Sequence, residues 1–130
     1  MYSSTTYAIQ VSVRPSFLPE HSDPKERRFV WAYQIDIRNG GAHTVRLRSR
    51  HWRITDATGF TEEVDGPGVV GEQPILLPGE TFSYTSGCPL RTPSGIMRGE
   101  YEMEDDDGER FRVAIPAFSL DLPGETPTLN

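Results

Sequence analysis

The sequence predicts an all-β chain folded as an antiparallel sandwich, and three observations carry that prediction. Apolar residues recur at every second position through most of the chain, the spacing of strands with one buried face. The composition includes 12 glycines and 11 prolines, which favours short elements joined by tight turns. No segment sustains the apolar spacing of a helix.

The elements follow in order. Tyr7, Ile9, Val11 and Val13 alternate with polar residues and read as a first strand. Residues 16–28 form a polar connection rich in proline and charge. Phe29, Trp31, Tyr33, Ile35 and Ile37 make the next strand, which ends at the turn signal Asn39-Gly40-Gly41. Val45 and Leu47 continue the pattern, but Trp52 and Ile54 sit on the opposite parity. A strand that changes parity carries a bulge or a break, expected here near residues 49–51. Shorter strands are read at 60–64, 75–77, 82–84, 97–103, 111–115 and 118–120. Trp31 and Trp52 are expected to serve as core aromatics across the sandwich.

Turn chemistry sets the pairing. Asp56-Ala57-Thr58-Gly59 and Asp105-Asp106-Asp107-Gly108 both suit a type I turn closed by a left-handed glycine. Placing Met103 and Phe111 on one face requires Asp105 to pair with Glu109. That register sets Glu104 opposite Arg110 and Glu102 opposite Arg112, so the acidic run 100–109 reads as a solvated hairpin. Leu77-Pro78-Gly79-Glu80 fits a type II turn. Leu122-Pro123-Gly124-Glu125 repeats its pattern with no strand to follow. One domain over residues 1–123 with a tail at 124–130 is the expected organisation.

Composition excludes several classes. A net charge of −6 and a pI near 5.0 argue against nucleic-acid binding. No apolar run approaches a membrane span, and residues 1–6 carry no secretory signal, so a cytoplasmic chain is expected. The single cysteine, Cys88, cannot form an internal disulfide, which fits a reducing compartment.

Ser49-Arg50-His51-Trp52, the run Gly66-Pro67-Gly68-Val69-Val70-Gly71-Glu72-Gln73-Pro74, and Pro78-Gly79-Glu80 stand in a distinctive order. Tyr84-Thr85-Ser86-Gly87-Cys88-Pro89-Leu90, Thr92-Pro93-Ser94-Gly95 and Ile115-Pro116-Ala117-Phe118-Ser119-Leu120-Asp121 extend it. Together these motifs resemble the ApaG family, also called CorD. The resemblance implies an immunoglobulin- or fibronectin-III-like sandwich and a link to cobalt and magnesium homeostasis. It also implies a surface that binds protein partners, because related modules occur within an F-box protein and a polymerase-delta-interacting protein.

Gly66, Gly68 and Gly71 match the spacing of a dinucleotide loop, but Pro74 prevents the helix on which such a site depends. A weaker anion nest remains open, with Arg46, Arg48 and Arg50 alternating nearby. His21, His43, His51 and Cys88 lack the paired spacings of a metal site, and the adjacent Asp105, Asp106 and Asp107 do not converge as ligands do. Neither a metal nor a cofactor is expected. Nothing in the sequence activates Cys88 as a nucleophile.

The leading reading is therefore a non-enzymatic module that contacts another protein through the connections 65–74 and 85–96. Val69, Val70, Leu90 and Ile96 would form its apolar patch if the two connections meet at one end of the sandwich. The alternative is a small-anion binder for pyrophosphate or a nucleotide, using Gly66, Gly68 and Gly71 with Arg48 or Arg50. Neither nucleic acid nor a membrane is an expected partner. Edge strands of a sandwich can also pair two copies into a homodimer.

Overall fold

The computed structural model describes residues 1–123, and most of them lie in nine strands. In chain order these are β1 (Tyr2–Thr6), β2 (Ile9–Phe17), β3 (Phe29–Asn39), β4 (Val45–Asp56) and β5 (Thr61–Pro67). β6 (Ile75–Leu76), β7 (Thr81–Leu90), β8 (Gly95–Asp105) and β9 (Arg110–Leu120) complete them. One sheet has the order β1-β2-β3-β7 and the other β5-β4-β8-β9, with β6 pairing β4 beyond the end of β5. Every pairing is antiparallel, and the two sheets form the expected sandwich. No α-helix occurs among the described residues. The expected tail at 124–130 lies outside them.

The core forms where the inward halves of the alternation meet. Val11, Val13, Trp31, Ile35 and Ile37 of one sheet face Leu47, Trp52, Met97, Tyr101, Met103 and Phe118 of the other, all buried. Burying side chains of this size stabilises a fold by roughly 1.5–3 kcal/mol each. Trp52 packs edge-on against Tyr33 and Phe118, with ring centroids 5.5 and 6.0 Å apart, and Trp31 packs against Phe17 at 5.4 Å. Both tryptophans are core aromatics, as expected.

Asn39 is the one buried polar side chain in the described core, and its bonds explain its position. Its amide donates to the carbonyls of His43 (2.7 Å) and Leu76 (3.0 Å), while its Oδ1 accepts from Gly41 N–H. The side chain thus ties the β3–β4 connection to β6 with every polar atom satisfied.

Both D-x-x-G turns form as read. Gly59 and Gly108 take φ of 89° and 81°, and Asp105 N–H bonds the Glu109 carbonyl at 2.9 Å. Met103 pairs with Phe111, Glu104 with Arg110 and Glu102 with Arg112. The ion pairs, however, run diagonally: Arg110 reaches Glu102 (2.6 Å), Arg112 reaches Glu100 (3.5 Å) and Glu104 turns to Arg48 (3.7 Å). Arginine is long enough to prefer the diagonal neighbour to the one directly opposite.

Several expectations are corrected. β1 was not legible, and Tyr7 belongs to no strand. Tyr7 and Ala8, with φ of 48° and 65°, form the two-residue turn joining β1 to β2. The bulge lies at Arg48, one residue before the expected site. The strands read at 111–115 and 118–120 are one strand, β9, bent where its register with β8 shifts near Pro116 and Ala117. The connection expected at 85–96 is mostly strand: β7 pairs with β3 as far as Leu90, leaving only residues 91–94 outside the strands. Likewise β5 continues through Gly66 and Pro67, so the irregular link is 68–74.

Candidate functional site

The site is built around the bulge in β4. The register with β8 steps from Leu47↔Met103 to Ser49↔Glu102, leaving Arg48 without a partner. The extra residue places Arg50 on the inward face with Trp52, opposite the buried Tyr101, and turns His51 outward. The bulged Arg48 carbonyl accepts from Gly68 N–H (2.9 Å) and from the Gln73 side-chain amide (3.0 Å). The irregular link is thereby fastened to the sheet.

Arg50 fastens it a second time. Its Nη1 donates to the carbonyls of Pro67 (3.1 Å) and Gly68 (2.9 Å). Beneath the guanidinium lie Tyr33, Tyr84 and Tyr101, and burial raises the pKa of all three phenols. Tyr84 and Tyr101 share a hydrogen bond through their hydroxyls. A cation within reach of buried hydroxyls connects the core to the surface link, since Arg50 draws all three phenol pKa values down against burial.

The link itself is a tight hairpin. Val69 and Glu72 exchange two backbone hydrogen bonds of 2.8 Å, closing a turn at Val70-Gly71. Both turn residues are left-handed, with φ of 43° and 81°, the geometry of a type I′ turn. Gly68 is also left-handed at 59°, and a Cβ there would sit within 3.0 Å of the Glu72 carbonyl. Val69 is buried, while Val70 at the tip is 55% exposed. A β-branched residue at positive φ is strained, and it persists only where the surroundings enforce it. Here the closed turn and its two fastenings do so.

On the outer face, His51 lies between carboxylates. Its Nδ1 bonds Asp65, its Nε2 lies 3.4 Å from Glu63, and Glu100 faces it across β8. The bond to Asp65 is the main reason its pKa is raised. Arg53 in turn holds the Glu63 carboxyl below its usual range through a 3.0 Å bond. Ser49, Arg50, His51, Asp65, Gly66 and Pro67 line an open cleft of about 470 Å3 with Glu100, Glu102 and Arg112.

The structure brings Gly66, Gly68, Val69, Val70 and Gly71 together with Arg48 and Arg50, although Gly66 lies in β5 rather than in a loop. The patch with Leu90 and Ile96 does not form. Those residues sit beside Asp56, at the other end of β4 from Arg48, about 26 Å away at ~3.3 Å per strand residue. The amides of Gly68, Val69 and Glu72 are bonded to carbonyls, and Arg50 is turned onto carbonyls as well. Few donors remain to face an anion. Cys88 is buried on β7, and burial pushes its thiol up to about 11.

Sequence reasoning missed His51, Asp65 and the tyrosine trio. The pairing of His51 with Asp65 needs the β4–β5 register, which follows from the Asp56–Gly59 turn by counting outward. The inward placement of Arg50 follows from the parity of Trp52 and Ile54.

The fold and this edge define a small antiparallel sandwich that presents a glycine-built turn fastened to a bulged strand. The ApaG domain pattern matches residues 19–105, and the chain belongs to the ApaG family. It is 61% identical over 130 residues to Protein ApaG of Paramagnetospirillum magneticum, covering 100% of both chains. Protein ApaG of Brucella anthropi is 57% identical over the same length. A Bordetella pertussis crystal structure described as ApaA superposes with a TM-score of 0.89 at 50% identity, covering 93% of this chain and 98% of that one.

Proposed function

We propose that the chain is a non-enzymatic binding module that contacts a protein partner through the edge formed by β5, the Val70 turn and β6. The observation that carries this reading is Val70 itself, exposed at the tip of a turn that two independent fastenings hold in a left-handed conformation. Ile75 and Leu77, each 52% exposed, follow on the same edge and extend the apolar surface. Strain of this kind is retained where a side chain must be presented in one fixed orientation. A rigid turn also loses little entropy on binding.

The module reading places the chain in the cytoplasm and routes any link to cobalt or magnesium homeostasis through the partner. Asp105, Asp106 and Asp107 approach within 4.8 Å of one another, but Asp105 already accepts from the amides of Asp107 and Glu109. The experiment is affinity capture followed by reconstitution with the purified partner. Val70→Asp should abolish binding, and Val70→Gly should weaken it while the turn is kept.

A further inference from the structure

We propose a second binding site in the open seam between the edges of β5 and β7, taking an extended peptide segment that carries acidic side chains beside an apolar one. The seam lies at the other end of the sandwich from the Val70 turn. Its cleft, about 510 Å3, is lined by Ile54, Phe60, Pro89 and Leu90 and by six charged residues. Phe60 is 68% exposed, an unusual placement for an aromatic side chain with apolar neighbours at hand.

The charges give the site its selectivity. Arg27 and Arg28 come from the connection before β3, and Arg91 from the connection after β7. None of the three forms an ion pair with a carboxylate of the described residues, and unlike the unpaired arginines of the strands they converge on one cleft. Glu26, Asp56 and Glu62 also line the cleft and leave these guanidiniums unpaired. Asp56 is turned back onto the amides of Thr58 and Phe60, and Glu62 is exposed and makes no ion pair, its charge acting on the Cys88 thiol. Arg27 takes φ 56° as the left-handed residue that closes the Asp23–Arg28 turn, and that turn brings it to the cleft.

Three unpaired guanidiniums from two separate connections suit several carboxylates better than one. β5 and β7 each end a sheet, so both present unpaired backbone groups to an extended chain lying between them. Phe60, Ile54 and Leu90 would take the apolar side chain.

The test uses the full chain and two probes, acetyl-Glu-Leu-Glu-Phe-Glu-amide and its all-glutamine counterpart. Titration followed by NMR should move the amides of Arg28, Phe60, Leu90 and Arg91. The acidic probe should bind about tenfold more tightly than the neutral one, and added salt should weaken it. Arg28→Gln with Arg91→Gln, both at exposed positions, should remove that preference without lowering the melting temperature. Equal binding of the two probes, shifts confined elsewhere, or no shift at saturating probe would overturn the proposal. Self-association lost in the double variant would also overturn it, since the occupant would then be a second copy.

Discussion

The Glu72 carbonyl stands where a side chain on Gly68 would begin, so the turn can close only over a glycine. The same pair explains how Val70 reaches the surface. Gly68 turns the chain away from β5, Glu72 returns it by pairing with Val69, and two residues remain to make the tip. The edge is thus determined by backbone geometry before any partner is considered.

Gly68→Ala and Gly71→Ala separate close approach from φ strain. Both positions have positive φ, but only Gly68 has an atom in the way. Gly71→Ala should cost about 1 kcal/mol of unfolding free energy, from left-handed strain alone. Gly68→Ala should cost clearly more and should open the turn, seen as faster hydrogen exchange at Val69 and Glu72. Urea unfolding of the two variants checks the order.

Arg50→Met keeps the length of the side chain and removes its donors. It should cost about 1.5–3 kcal/mol through the unpaired Pro67 and Gly68 carbonyls. Arg50→Lys should recover only part of this, because one ammonium does not reproduce the fixed guanidinium geometry. Faster exchange confined to residues 66–72 is the local readout.

Tyr84→Phe and Tyr101→Phe each leave a buried hydroxyl without its partner, costing about 1–3 kcal/mol. The double variant should cost less than the sum, because it removes both groups together. Strict additivity in a double-mutant cycle would show that the hydroxyls do not interact.

The His51 pKa is raised above its ordinary 6.5, chiefly by the bond to Asp65. Its contribution to stability is therefore complete below pH 6.5 and is lost as pH rises through the folded value. The effect should be small because the ring is partly exposed. Melting temperature should fall across that window, and Asp65→Asn should flatten the profile. An NMR titration of the imidazole locates the midpoint.

The sandwich was legible because its core strands alternate cleanly and its hairpins carry Asp and Gly at fixed places. β7 was read short for a specific reason. Gly87 and Pro89 look like breakers, yet Tyr84, Ser86, Cys88 and Leu90 keep the period of two. β7 ends its sheet, and an edge strand tolerates a residue with no N–H. Pro67 in β5 and Pro116 in β9 also lie on edge strands, and Pro15 lies beyond the reach of β1. Gly66 was read as loop by the same rule. The Val70 turn was harder to read, because valine does not announce a left-handed residue and nothing local shows that Gly68 must clear Glu72. The pairing of His51 with Asp65 could have been read by counting outward from the Asp56–Gly59 turn, but only once β5 is seen to run past Val64 through Pro67.

The proposed partner contact rests on Val70 at the tip of the turn. The direct measurement is the dissociation constant of the purified partner for the wild type, Val70→Asp and Val70→Gly, each first shown to melt like the wild type. Val70→Asp should weaken binding by at least about tenfold, the scale of an interface hot spot, and Val70→Gly by less. Equal affinity for all three proteins would contradict it.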